Sequence, residues 1–220
     1  TNAQIINLRH MKRLKVLNLN YNYITDLACL DGLTQLEELH FSHNNVTDPS
    51  FLSGMTELRR ISAENTGLTD ISPLAGKLRL EAVFIGDSLV TDITPLKSAR
   101  GLRFLGCNEL QIGSLDALEG MTELETVCLA GCGLWSIQPL SSGKKLRNVY
   151  LGRNNVSDLS PLIGCDIAEM YLDLNKLNGN REAFRGLTVH GFIVMNGNGY
   201  AQEDLEYIRS TINGEADLEI

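Results

Sequence analysis

The stretch Leu14-Lys15-Val16-Leu17-Asn18-Leu19-Asn20-Tyr21-Asn22-Tyr23-Ile24 sets its apolar residues and one asparagine in the order L-x-x-L-x-L-x-x-N-x-I. The same order restarts at Leu36, Leu58, Leu80, Leu102, Leu124 and Leu146, 22 residues further each time. A fixed period of this size marks a solenoid, whose repeats cannot bury their apolar sides alone and stack to share one core. An eighth copy starts one residue early at Ile167, with Met170, Leu172, Asn175 and Leu177. A ninth, worn copy starts at Val189, with Phe192, Val194 and Gly197. Each copy is expected to be a short strand, a tight turn and a return segment. Nine parallel strands about 4.8 Å apart would make a sheet roughly 40 Å across.

The return segments carry their own signal. Asp26, Asp70, Asp92, Ser114, Ser136 and Asp158 each stand just before an apolar residue, and their side chains suit the free N–H groups of a helical turn. Asp48 holds the same place but precedes Pro49. Pro73, Pro95, Pro139 and Pro161 follow, at a position where the first turn of a helix tolerates proline. With about ten residues before the next strand, a short 3₁₀ or single-turn helix is expected. Ile5, Leu8 and Met11 lie 22 residues before Leu27, Leu30 and Leu33, so residues 1–13 read as a partial first repeat, and a cap or further repeats are expected ahead of it. The solenoid is expected to span residues 1–199. Residues 200–220 then read as a capping helix and tail, with Leu205, Ile208 and Ile212 on one face, Arg209 late and Gly214 as a stop. Asp217 to Ile220 would add a short strand or fray.

The order of apolar residues, with Asn or Cys at its ninth place, matches the leucine-rich repeat pattern. Thr-Asp-Ile-Ser-Pro-Leu at 69–74, with its relatives at 91–96 and 157–162, resembles the 22-residue repeats of internalins and related bacterial surface proteins. The resemblance covers nearly the whole chain. It implies an α/β fold: a curved, right-handed leucine-rich repeat solenoid with a parallel β-sheet on its concave face, short 3₁₀ segments on its convex face and a C-terminal capping helix. It also implies a non-catalytic, monomeric module at the cell surface that recognises a protein on the concave face. An intracellular leucine-rich repeat scaffold or regulatory subunit, as among phosphatase regulators, and a targeting domain of a larger enzyme are the alternatives.

Composition narrows the partners. The 19 Lys and Arg against 27 Asp and Glu leave a net charge of −8, which disfavours a nucleic-acid backbone as ligand. No apolar run approaches the roughly 18 residues of a membrane-spanning helix. The five cysteines have no regular spacing, and Cys107, Cys132 and Cys165 fall at inward positions where a free thiol packs as a small hydrophobe. Free thiols lean toward a reducing compartment, cytoplasmic included, and the resemblance toward an extracellular or cell-surface location.

Strand alternation sends the residues flanking the inward Leu-type positions onto the open face. Between the inward pair the outward residues run Asn18, His40, Ser62, Phe84, Gly106, Cys128, Tyr150, Tyr171 and Ile193. The flanking columns pass through Glu38, Arg60, Phe104 and Glu169 on one side and Glu64, Gly86, Ala130, Gly152, Asp173 and Met195 on the other. Small residues at Gly86, Gly106, Thr126, Cys128, Ala130 and Gly152 suggest a floor, with Phe84 and Phe104 on one side and Tyr150 and Tyr171 on the other. Aromatic anchors beside a hollow describe a protein-binding hot spot. His40, Arg60, Arg153, Glu169 and Asp173 are expected around it. Catalytic and cofactor signals are absent from the phase. His40 and His43 with Glu38 read as solvated side chains, Cys128 and Cys132 point to opposite sides, and Trp135 reads as half-buried packing on the descending flank.

Two further columns are structural. The Asn column runs Asn22, Asn44, Thr66, Ser88, Leu110, Cys132, Asn154, Asn175, so the turn at Leu110 has to be satisfied in another way. The residue after each leading Leu alternates in sign through Lys15, Glu37, Arg59, Glu81, Arg103, Glu125 and Arg147, a ladder suited to holding register and discouraging wrong stacking. Reversing one rung with Glu81→Lys is expected to lower the melting temperature by about 1–3 °C with binding unaffected. Circular-dichroism melting checks it, and an unchanged midpoint would count against the ladder.

Overall fold

Only three residues of most repeats hold strand geometry, because a 22-residue coil must turn off the sheet, run back and return. In the computed structural model, which describes residues 2–220, the chain forms two compact units that meet in sequence at Leu110 and Gln111. The first holds a helix α1 (Asn2–Ile5), a 3₁₀ segment Ile6–His10 and five strands, β1 (Val16–Asn18), β2 (Glu38–His40), β3 (Arg60–Ser62), β4 (Ala82–Phe84) and β5 (Phe104–Gly106). These pair in parallel, with Leu17, Leu39, Ile61, Val83 and Leu105 in one row. The second unit holds β6 (Thr126–Cys128), β7 (Asn148–Tyr150), β8 (Asp166–Tyr171), β9 (Thr188–Val194), helix α2 (Gln202–Thr211) and β10 (Asp217–Glu219). Its strands also pair in parallel and in sequence order. The tail therefore forms a strand, with Leu218 beside Ile193.

The chain leaves the sheet through one left-handed residue per repeat. Tyr21, His43, Asn65, Asp87 and Glu109 in the first unit and Gly131, Arg153, Leu174 and Gly197 in the second all have φ between +50° and +72°. Four of these nine, Tyr21, Glu109, Arg153 and Leu174, carry side chains that disfavour the conformation, so the surrounding bonds impose it there. Where the column holds asparagine, those bonds are numerous. Asn154 is buried; its amide donates to the carbonyls of Leu129, Leu151 and Gly152, and its Oδ1 accepts the N–H groups of Cys132 and Leu134. Asn44 likewise spans two repeats, donating to Leu19 and Phe41 and accepting from Ile24. The shorter Thr66 and Ser88 bond a carbonyl of their own repeat, at Ala63 and Ile85. At Leu110 the backbone substitutes, its N–H donating to the carbonyl of Cys107 at 3.3 Å, and Glu109 keeps the left-handed φ of its neighbours.

The return segments are more regular than the sequence suggests. In all seven strict copies, including Asp48 before Pro49, the Asp or Ser side chain accepts the N–H two residues on, at 2.7–3.1 Å. A 3₁₀ turn of three to five residues follows each. The charge ladder is present as Lys15–Glu37 at 2.6 Å and Arg59 between Glu37 at 4.0 Å and Glu81 at 2.8 Å. A neighbouring column adds Arg79–Glu57 and Lys145–Glu123, both 2.6 Å.

The ninth repeat departs from the expected phase. Ile167 pairs with Val189 but Glu169 pairs with Phe192, so β9 carries one extra residue, a bulge at His190-Gly191. One residue flips every later side chain to the other face. Ile193 and Met195 are therefore buried in place of Phe192 and Val194. Asn198 takes the Asn role in place of Gly197, donating to the carbonyls of Leu172 and Met195. Beyond it, α2 buries Leu205 and Ile208, and Ile212 just past its end is buried with them. Arg181 stacks over Tyr207 at 4.2 Å, and Arg185 donates to the Tyr207 hydroxyl at 2.7 Å.

Cys107, Cys132 and Cys165 are buried, as their inward positions require. One core position holds a charge instead. Leu33, Met55, Lys77 and Ala99 share a column 22 residues apart, and all four are buried. The Lys77 ammonium donates to the carbonyls of Met55 at 3.0 Å and Ser53 at 3.4 Å, and no carboxylate among the described residues pairs with it. Burial lowers its pKa from the ordinary lysine value. A lysine pKa depressed on folding adds stability above the unfolded-state value, and that stability is lost as pH falls through the folded value. Lys77→Met, matching Met55, is expected to raise unfolding free energy at pH 7 by about 1 kcal/mol and to flatten the rise toward alkaline pH. Urea unfolding at pH 7 and at higher pH checks both.

Candidate functional site

On the open face of the first unit, the candidate residues occupy neighbouring strands at fixed register. Glu38 lies beside Arg60, Arg60 beside Ala82 and Ala82 beside Phe104, while His40, Ser62, Phe84 and Gly106 form the parallel row. His40 Nε2 is 3.6 Å from Glu38 Oε2. Phe84 leans over Gly106: a Cβ on that glycine would stand 2.7 Å from Phe84 Cδ1. The floor expected at Gly106 is therefore covered by the aromatic ring, and Gly106 is buried while Phe84 is half-exposed. The Arg103 guanidinium sits 5.3 Å from the Phe104 ring centre. Beyond this row, burial raises the pKa of Glu64 above the ordinary glutamate value, against an opposing pull from His43.

The second unit gathers a tighter set. Tyr150 and Tyr171, side by side on β7 and β8, stack with ring centres 5.1 Å apart and planes 29° apart. The Tyr150 hydroxyl donates to Glu169 Oε2 at 2.5 Å, a bond that raises the phenol's pKa and holds the donor protonated. Asn148 donates to Thr126 Oγ1 at 3.2 Å, and Cys128 lies in register with Tyr150, half-exposed. The carboxylate of Asp173 presses on the Gly152 backbone, so this part of the expected floor is covered too. Arg153 stands at the left-handed turn, exposed at the edge of the face.

Phe192 joins this set and was missed in the sequence, where the phase turned it inward. The bulge places it beside Glu169, 53% exposed, and puts Val194 beside Tyr171. The signal that could have shown it is the Gly191 inside the strand pattern, a residue that often marks a bulge. Trp135 also corrects the expectation: it is 71% exposed, standing out from the flank where other copies carry Thr or Ser. Among the described residues no group of three or more His, Cys, Asp or Glu side chains is placed to hold a metal ion. No helix among them is long and apolar enough to cross a membrane.

A family model for leucine-rich repeats matches residues 12–54 and 34–76. Among solved structures, the chain is similar to internalin C2 of Listeria monocytogenes, with 28% identity, a TM-score of 0.68 and coverage of 74% of each chain. It is also similar to an internalin, InlF, of the same organism, at 22% identity and TM-score 0.70, covering 97% of this chain and 78% of that one. The functional domain of Listeria InlJ, described as including a cysteine ladder, matches at 21% identity and TM-score 0.64 over 86% of this chain and 42% of that one. A comparison with curated proteins finds no match.

The bulge makes a direct test of which β9 residue faces out. Phe192→Ser is expected to change unfolding free energy by less than about 1 kcal/mol, whereas Ile193→Ser is expected to cost about 3 kcal/mol or more. Denaturant midpoints of the two variants check it.

Proposed function

We propose that this chain, whose repeats and fold are similar to those of the internalins, is a non-catalytic recognition module that holds a protein partner on the open, concave face of its sheet. The observation that carries this reading is the aromatic set on the second unit: stacked Tyr150 and Tyr171, with Tyr150 bonded to Glu169 and Phe192 exposed beside Glu169. Rigid aromatics bury large area at low entropic cost, and charge around them steers and orients a partner. Phe84, Phe104, His40 and Arg60 offer a comparable, separate set on the first unit, and Cys128, Arg153 and Asp173 border the second. Every one of these side chains is mounted on a strand or its turn, whose position the repeat-to-repeat hydrogen bonds hold. The similarity to internalin C2 of Listeria monocytogenes supports a bacterial setting.

A second reading, an intracellular scaffold, is favoured by a set of five cysteines without the regular spacing of a disulfide framework, two of them partly exposed at Cys29 and Cys128. Affinity capture from host-cell and bacterial extracts, with the intact chain and with Tyr150, Tyr171 and Phe192 changed to Ala, tests the site. Variants that keep their melting profile are expected to lose the partner by at least about tenfold. Equal recovery by the intact chain and the variants would remove the face from consideration.

A further inference from the structure

Away from the sheet, the second unit contains a cleft that two departures from the repeat create together. At the position holding Thr25, Thr47, Thr69 and Thr91 in the first unit, the second holds Gly113, Trp135 and Ser157. Gly113 has φ +65°, and a Cβ there would meet no atom within 4 Å, so the space beside it is open. Trp135, one repeat on, supplies a large exposed aromatic surface at the same opening. The next position changes as well: Ser114 and Ser136 replace the Asp of Asp26, Asp48, Asp70, Asp92 and Asp158. The cleft encloses about 340 Å³. Ligand sites run from roughly 300 to 1,000 Å³, so this one suits a single side chain better than a whole cofactor.

Its chemistry is one-sided. The lining includes the carboxylates of Asp116 and Glu119, the hydroxyls of Ser141 and Ser142 and the amide of Gln138, and no Lys, Arg or His. Asp116 is exposed, and the chain as a whole carries −8. An indole face attracts a cation through its quadrupole, and a carboxylate beside it adds a charge-assisted hydrogen bond. We infer that the cleft beside Trp135 is a second recognition site, which takes an arginine or lysine side chain from an exposed segment of a protein partner. Arginine fits best, since a planar guanidinium stacks on the indole while its N–H groups reach Asp116. The site is independent of the aromatic face proposed above: it sits on the returning flank, and no residue is shared.

The experiment uses a built-in reporter, because Trp135 is the chain's one tryptophan. The intact chain is titrated with the capped tripeptide Gly-Arg-Gly while Trp fluorescence is followed, with capped Gly-Glu-Gly and N-acetylglucosamine as comparators. Saturable quenching by the arginine peptide is expected in the range of about 1 mM, as for a single anchored side chain, and weakening as salt rises. Asp116→Asn with Glu119→Gln is expected to weaken it at least tenfold while leaving the fluorescence of the unliganded chain and its melting curve in place. Trp135→Thr, the residue of the sister repeats, is followed by backbone NMR shifts of Ser114 and Gln138, which should no longer respond to the peptide. No saturable response to the arginine peptide would overturn the assignment. So would a response to the sugar or the glutamate peptide of equal strength, or one that the double variant leaves unchanged. Partner capture by the Tyr150, Tyr171 and Phe192 variants reports on the other face alone, so failure of one site is distinguishable from failure of the other.

Discussion

The hydrogen bonds that each repeat makes with the one beside it are the constraint on which the rest of this molecule depends. A three-residue strand has too few bonds to stand alone, and a left-handed residue at every turn is a standing cost. Both are sustained because Leu19, Phe41, Ala63 and Ile85 donate to the next strand's carbonyls and the asparagines bind backbone groups in two repeats at once. Stability in such a stack is approximately a sum over repeats and their shared surfaces, so no single position carries the fold. That is why the chain tolerates a leucine at one Asn position and a lysine in its core.

The same economy explains where function can sit. Inward positions are committed to packing and turn positions to bonding, which leaves the open face and the flank to vary. On the second unit's open face the freedom is spent on a stacked tyrosine pair, one member of which is bonded to a carboxylate. On the flank, Gly113 and Trp135 replace the usual threonine without disturbing the core, since Leu115 and Ile137, further along the same segments, remain buried. Exposed aromatics supported by backbone bonds on rigid elements can engage a partner with little ordering cost.

Much of the candidate site was legible in the sequence because strand alternation is a local rule. Tyr150, Tyr171, Glu169 and Phe84 stand on the face their parity assigns. Parity has no defence against an inserted residue, however, and the bulge at His190-Gly191 turned Phe192 out and Ile193 in. Side-chain direction was a second limit. The glycines at 106 and 152 looked like an open floor, yet Phe84 and Asp173 fall across them, because a ring or carboxylate fills the space its neighbour vacates. Trp135 was misjudged for a related reason: its exposure depends on what the adjoining repeats place around it.

By itself the sequence determined the repeat, its period, the parallel sheet, the inward columns and the alternating charges, since each is set by residues at fixed spacing and needs no knowledge of neighbours. Tertiary structure decided the phase of the ninth strand, the burial of Lys77 against carbonyls of the repeat before it, and the pairing of the tail as a strand. It also decided which aromatics cover glycine and which meet solvent. Those outcomes depend on contacts between residues about 22 positions apart, where one inserted residue or one rotated side chain changes the surface and leaves the repeat intact.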